Sequence, residues 1–176
     1  MKMKTGLAAL VTALLLLPGI AQADEPPMKA EAPITLTSPS AILCEASTGQ
    51  VIFEKNADER RPVASVNKVM TILLTLEAVD EGRVSLEDQV TVSPRAASMG
   101  GSQAFLDAGE RYKLSELLKT VIVASANDSA VALAEHLAGT EESFVRLMNA
   151  RAEELGLTNT HYANCTGLPA QEHYTT

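Results

Sequence analysis

Pro62-Val63-Ala64-Ser65-Val66-Asn67-Lys68-Val69-Met70-Thr71 is the stretch on which the reading of this chain turns. It stands at the entrance of an apolar run, Val69 to Val79, whose spacing predicts a helix capped by Gly82. Ser65 and Lys68, three positions apart in a first helical turn, share one face, with Cβ atoms about 5–6 Å apart. A serine hydroxyl needs a base to become a nucleophile, and a neutral lysine amine can serve. Burial and nearby cations disfavour the charged amine and make it basic enough to act at neutral pH. Free backbone N–H groups at a helix N-terminus can hold the oxyanion of acyl transfer. A second reading is equally physical: Ser65 caps the helix and Lys68 is a solvated first-turn residue. A Ser-x-x-Lys match is expected about once by chance in a chain of this length, so the tetrapeptide alone leaves both readings open.

Downstream, Ser125-Ala126-Asn127 lies between two helical stretches in VIVASANDSAVAL. A hydroxyl and an amide placed there can face a cleft, one passing protons and the other gripping a peptide group. The plain alternative is a polar junction at which Asn127 or Asp128 caps the next helix. Ser65-Val66-Asn67 also fits Ser-x-Asn, so that pattern decides nothing by itself.

Around these motifs, Ala41–Ala46 and Gln50–Lys55 flank Ser47-Thr48-Gly49, the pattern of a hairpin. Residues 56–61 read as a solvated loop, 89–92 as a short strand, and Met99-Gly100-Gly101-Ser102 as a flexible turn. Helices are expected over Leu114–Ala124, Asp128–Leu137 ending at Gly139, and from Thr140 through Leu155, stopped by Gly156. Residues 157–176 have no period. A hairpin is marginal alone, and strands that would complete a sheet are scarce after residue 92. Either the helices suffice or these residues are the front part of a larger domain.

Lys2 and Lys4, an apolar run from Leu7 to Leu17 and the small-x-small site Ala21-Gln22-Ala23 predict a secretory signal peptide over residues 1–23. Pro- and Ala-rich residues 24–34 read as a linker, and 35–176 as the folded part. The protein is therefore expected outside the cytoplasm. The 176 residues carry 14 basic against 22 acidic side chains, a net charge of −8 with no basic cluster, which excludes a nucleic-acid surface. Aromatic residues make up 3% of the chain and there is no Trp, which leaves few rings for stacking on sugars or bases. Cys44 and Cys165 permit one disulfide, but the simpler expectation is two small buried hydrophobes. His136, His161 and His173 form no HExxH or other paired cluster, so no metal site is read.

The flanks of both motifs carry a resemblance. PVASVNKVMT resembles the active-site segment of the serine D-alanyl-D-alanine carboxypeptidases, the low-molecular-mass penicillin-binding proteins. LLKTVIVASANDSAVALAEHLAG is similar to that family's second-motif helix pair. ILCEASTGQVIFEKNADERRPVAS, SMGGSQAFLDAGE and LGLTNTHYANCTGLPAQEHYTT resemble further family segments in the family's order, so the similarity runs from Ala41 to Thr176. It implies an α+β fold of the beta-lactamase/DD-peptidase type, with helices packed on a mainly antiparallel sheet. It implies Ser65 as nucleophile, Lys68 as its base, Ser125 as proton relay toward the leaving group, and Asn127 as the side chain that holds the substrate's peptide amide. The implied reaction removes terminal D-alanine from peptidoglycan stem peptides through an acyl-enzyme on Ser65, with no cofactor. Beta-lactams would trap the serine.

One departure stands out. The family's third motif, Lys-Thr-Gly on a late strand, is absent. Cys165-Thr166-Gly167 belongs to a segment resembling the family's Asn-x-Thr-Gly-Leu loop instead. That strand binds the substrate carboxylate and supplies an oxyanion-hole N–H in the family. The expectation is a truncated form, inactive or nearly so, since one lost oxyanion donor costs roughly 100- to 1000-fold. The family's C-terminal membrane-anchoring helix would also lie beyond these residues. A class A beta-lactamase shares the Ser-x-x-Lys chemistry but needs a deacylating glutamate on a later loop, whereas Glu153 and Glu154 fall on the third expected helix. A non-catalytic peptidoglycan-binding relative is the alternative of a different class, and an exported helical domain with chance motifs is disfavoured by the five matching segments.

Overall fold

The computed structural model describes residues 35–176; the signal-peptide and linker readings concern residues outside that range. Two small antiparallel sheets accompany five helices: β1 (Ala41–Cys44) pairs with β2 (Val51–Lys55), and β3 (Gln89–Thr91) with β4 (Arg111–Lys113). The helices are α1 (Lys68–Asp80), α2 (Pro94–Ala97), α3 (Leu114–Ala124), α4 (Asn127–Ala138) and α5 (Glu141–Glu154).

Helix α4 is the hub, packing against α1, α2, α3, α5 and β3. Its sequence, NDSAVALAEHLA, explains this place: small residues let neighbours approach on every side, and Ala130 to Ala134 are all fully buried. Leu114, Leu117 and Val121 of α3, Phe144 and Met148 of α5 and Val90 of β3 complete the core around it. Helix ends follow local chemistry. Thr140 caps α5 by accepting from Ser143 N at 3.1 Å, with Glu141 and Glu142 in the first turn where carboxylates suit the helix dipole. Gly139 and Gly156 stop α4 and α5 in backbone conformations that L-residues avoid.

The hairpin forms as its sequence predicts, with register Ala41↔Lys55, Ile42↔Glu54 and Leu43↔Phe53. The Glu45 carboxylate closes the turn by accepting from Ser47 and Thr48, backbone and hydroxyl alike. Those bonds, Thr48's hydroxyl foremost, pull its pKa down to about 2. Ile42, Leu43, Val51 and Ile52 remain exposed, and β1 and β2 pair only with each other among the described residues. The antiparallel sheet expected to back the helices is thus represented by two separate two-stranded ribbons.

Two elements, β4 (Arg111–Lys113) and α2 (Pro94–Ala97), escape the sequence reading. β4 is three residues paired to β3, with Tyr112 half-buried between the exposed Arg111 and Lys113, too short a run to be read as a strand. The single turn α2 is announced by Ser93-Pro94, and Ser93 Oγ accepts from Ala96 N at 2.9 Å. Residues 157–176 are irregular yet anchored, because Arg61 pairs with Thr175 and His161 with Tyr174.

His173 ties that last segment down from inside. It is buried, and its Nδ1 accepts from Ala163 N at 2.8 Å, so this nitrogen carries no proton. Burial, and secondarily His161, holds its pKa below the usual 6.5. The unfolded chain therefore takes up a proton before the folded one as pH falls. Stability is expected to be level above about pH 6.5 and to decline below it. Urea midpoints at pH 7.5 and 5.5 check this; in His173→Asn, whose Oδ1 keeps an acceptor near Nδ1, this part of the decline should vanish.

Candidate active site

Ser65 lies in a 3-10 turn, Ala64–Asn67, that leads directly into α1. The expected helical turn is thus of the 3-10 kind. In a 3-10 turn residues three apart eclipse one another, which stacks Lys68 over Ser65 more closely than an α-turn would. Lys68 Nζ donates to Ser65 Oγ at 3.3 Å and to the Thr166 carbonyl at 2.7 Å. The capping alternative fails on both counts: Ser65 makes no side-chain cap bond, and Lys68 is 2% exposed. Burial pushes the Lys68 pKa below the usual lysine value, with the Cys165 sulfur opposing weakly. The expected help from a neighbouring cation is not what lowers it. Ser65 itself is exposed, so the hydroxyl faces solvent while its partner amine does not.

The 164–168 loop meets the buried Lys68 amine through the Thr166 carbonyl and lies against the turn before it. Gly167 has φ +85°, and a Cβ there would lie 1.9 Å from the Ala64 carbonyl oxygen and 3.1 Å from Asn67 Cβ. Only glycine permits this approach. Ala64 itself sits at φ +46°, an uncommon conformation for alanine, immediately before Ser65.

Ser125 and Asn127 occupy the α3–α4 junction. Ser125 closes α3 in the left-handed region, at φ +55°, and its Oγ is buried with no hydrogen-bond partner. Asn127 is the first residue of α4, one position ahead of the expected start, and is 4% exposed. Its Nδ2 donates to Gly100 O at 2.7 Å and its backbone N to Ser102 O at 2.7 Å. With the amide nitrogen engaged, Oδ1 is the end left to accept from a ligand. Neither residue is hydrogen-bonded to Ser65 or Lys68. The two motifs are linked through the loops between them: a Cβ on Gly101 would lie 2.8 Å from Asn127 Nδ2 and 3.9 Å from Leu168 Cδ2. The 164–168 loop thus lies against Ala64, just before Ser65, and near Gly101, which adjoins Asn127.

Asp128, read as a cap, does something else. Its fully buried carboxylate accepts from the backbone N–H groups of Ala104 at 3.0 Å, Leu106 at 3.2 Å and Ser129 at 2.8 Å. It thereby clamps the Gly101–Leu106 loop onto α4 and sets the carbonyls that hold Asn127. Asp128→Ala should destabilise the fold by about 2 kcal/mol, because it strands buried N–H groups. Thermal melting checks this; a loss below about 0.5 kcal/mol would contradict the clamp.

Cys44 and Cys165 are both free thiols. Cys165 is buried as expected, and burial followed by the Glu141 carboxylate raises its pKa well above the usual value. Cys44 is exposed, contrary to the expectation, because neither face of the hairpin is covered there. Glu153 and Glu154 are exposed on α5, in keeping with a solvated helix face. No helix of the described residues is long and apolar enough to cross a membrane. Sequence reasoning misses Thr166, Gly167 and Asp128 as parts of the site. The Asn-x-Thr-Gly-Leu signature is a signal for the first two, but a carbonyl that holds an amine leaves no mark on residue type.

Comparison with known proteins gives a consistent result. The family model for D-alanyl-D-alanine carboxypeptidases, peptidase family S11, matches residues 26–176. The D-alanyl-D-alanine carboxypeptidase DacF of Bacillus subtilis is 50% identical over 135 residues, spanning 77% of this chain and 35% of the relative. Among solved structures, the D-alanyl-D-alanine carboxypeptidase DacD of Francisella tularensis superposes with a TM-score of 0.80 at 39% identity, over 82% of this chain and 35% of that one. Penicillin binding protein 5 of Haemophilus influenzae gives 0.80 at 32% identity, over 82% and 43%. The chain thus spans about a third of the length of the first two relatives. Its helices and antiparallel ribbons are the corresponding part of a DD-peptidase/beta-lactamase-type fold. With two motifs in register, matching flanks and a shared architecture, the chain belongs to the D-alanyl-D-alanine carboxypeptidase family S11.

Proposed function

We propose that residues 35–176 are the N-terminal portion of the catalytic domain of an exported serine-type D-Ala-D-Ala carboxypeptidase, acting on peptidoglycan stem peptides. The observation that carries this reading is the buried Lys68 amine 3.3 Å from the exposed Ser65 hydroxyl. In the uncharged form favoured by burial, Nζ takes the Ser65 proton as Oγ attacks the carbonyl of the penultimate D-alanine. The tetrahedral intermediate collapses to an ester on Ser65 and releases D-alanine, whose nitrogen gains a proton passed by Ser125. Water then hydrolyses the ester and restores the serine. Asn127 Oδ1 accepts an N–H of the stem peptide and sets its register. A beta-lactam would follow the first half of this path and stop at the ester.

The family's Lys-Thr-Gly strand would complete the oxyanion hole and bind the substrate carboxylate. Sequencing the reading frame past the Thr176 codon tests that part. Arrival at Lys-Thr-Gly within several dozen codons supports it; a stop codon directly after Thr176 favours a degenerate, binding-only relative. Activity is tested by D-alanine release from a D-Ala-D-Ala-terminated peptide by the natural protein that carries these residues. Ser65→Ala should abolish release while the helical circular dichroism is kept. Release unchanged in Ser65→Ala would overturn the assignment.

A further inference from the structure

We propose that Asn164 is a positioning residue for the base, holding the 164–168 loop in the one shape that seals Lys68 from water and presents a carbonyl to its amine. The inference rests on the reading of Lys68 as base and concerns what keeps it in that state.

The Asn164 side chain is bonded at both ends to its own loop. Oδ1 accepts from Thr166 N at 3.1 Å, Thr166 Oγ1 at 3.0 Å and Gly167 N at 2.7 Å, while Nδ2 donates to Leu168 O at 2.9 Å. One amide thus satisfies a whole tight turn from inside, a use to which asparagine is suited. The turn so folded lines up three successive carbonyls toward the start of α1, and each meets a side chain there. Asn67 Nδ2 donates to Asn164 O at 3.2 Å, Thr71 Oγ1 to Cys165 O at 2.8 Å and Lys68 Nζ to Thr166 O at 2.7 Å. Asn67 and Thr71 flank Lys68 on the inward face of the helix, and all three are almost fully buried. The glycine contact with Ala64 presses the same turn against the Ser65 backbone.

The geometry explains why an amine is buried here without a carboxylate. Nζ finds a carbonyl and a hydroxyl, partners that orient it without supplying the charge that would keep it protonated. The charged or titratable groups facing this region are the Cys165 thiol, which is uncharged at neutral pH, and beyond it Glu141, which contacts Cys165 Sγ at 3.5 Å and pairs outward with Arg95. Removing the Asn164 amide leaves the N–H groups of Thr166 and Gly167 without an acceptor. They turn toward water, the loop opens, and solvent reaches Nζ. Burial is the main reason the Lys68 pKa is low, so opening the loop raises it.

The test is a pH titration of isotopically labelled lysine signals by NMR in the natural protein, with the Lys68 signal assigned by its loss in Lys68→Arg. Asn164→Ala should move the Lys68 pKa up toward the ordinary lysine value and slow acylation by a labelled penicillin at pH 7 by about tenfold or more. Asn149→Ala is the control for a merely structural loss. It removes bonds to Val145 O and to both the N–H and carbonyl of Tyr162, just before the loop, but touches none of the three carbonyls. It should lower stability and leave the Lys68 titration in place. A depressed Lys68 pKa that is the same in Asn164→Ala as in the parent overturns the role of Asn164 and leaves the base standing. An ordinary Lys68 pKa in the parent overturns both. If Asn164→Ala does not fold, Thr166→Val, which deletes only the hydroxyl bonds to Asn164 Oδ1 and from Leu168 N, should shift Lys68 in the same direction by less, and no shift would overturn the proposal.

Discussion

Gly167→Ala is expected to destabilise the fold by about 4 kcal/mol or to prevent folding, although it adds a single methyl group. Two independent effects act together. The φ of +85° disfavours any L-residue, by about 1–2 kcal/mol. The steric clash matters more: a Cβ would stand 1.9 Å from the Ala64 carbonyl oxygen, and that neighbour is backbone, so no side chain can swing aside. Relief requires the 164–168 loop to lift away from the Ser65 turn, which also removes the Thr166 carbonyl from Lys68. The expected result is therefore double: a large fall in the urea midpoint, and reactivity of the Lys68 amine toward acylating reagents like that of a surface lysine. Gly49→Ala is the comparison. Its φ is +72°, yet nothing lies within 4 Å of its Cβ, so it should cost only the backbone strain, about 1 kcal/mol. Equal losses at the two positions would contradict the tight contact.

Lys68→Arg should lower the rate of Ser65 acylation by about 100- to 10,000-fold, the range that general-base assistance supplies. Arginine keeps a positive charge and hydrogen-bonding capacity at this place but does not deprotonate in the usable range, so it cannot take the serine proton. In the parent, acylation should rise with pH through the Lys68 pKa, because the uncharged amine is the active form, and the midpoint should fall below the ordinary lysine value of 10.5. Stability has the same sign. The buried site disfavours the protonated amine, so the unfolded chain binds more protons between the folded pKa and 10.5, and the fold gains stability as pH rises through that window. A flat profile of acylation against pH, unchanged by Lys68→Arg, would remove Lys68 from the mechanism.

How much of this is legible in the sequence depends on whether each feature is written in residue type or in geometry. The hairpin is plain because Ser47-Thr48-Gly49 separates two apolar runs, and α3 because apolar residues recur at helical spacing over Leu114–Ala124. α5 carries its own start and stop in Thr140 and Gly156. β4 is invisible: Arg111-Tyr112-Lys113 is too short a run to read as a strand, and it is paired with β3. The Ser65–Lys68 pair is legible as a spacing, but the burial that changes the meaning of the lysine comes from residues about a hundred positions later. Ser125 reads as a junction residue, while its left-handed backbone and partnerless hydroxyl come from the sharp reversal between α3 and α4. The exposed Cys44 follows from a hairpin that the described residues leave uncovered.

Ser65, activated by Lys68, is proposed to be the residue that becomes acylated. The most direct measurement is to incubate the natural protein with a penicillin, quench, digest and locate the added mass by peptide mapping. One penicilloyl group is expected, on the peptide containing Ser65, formed in the parent and absent in Ser65→Ala. An adduct that persists in Ser65→Ala, or that maps to another residue such as Ser125, would contradict it.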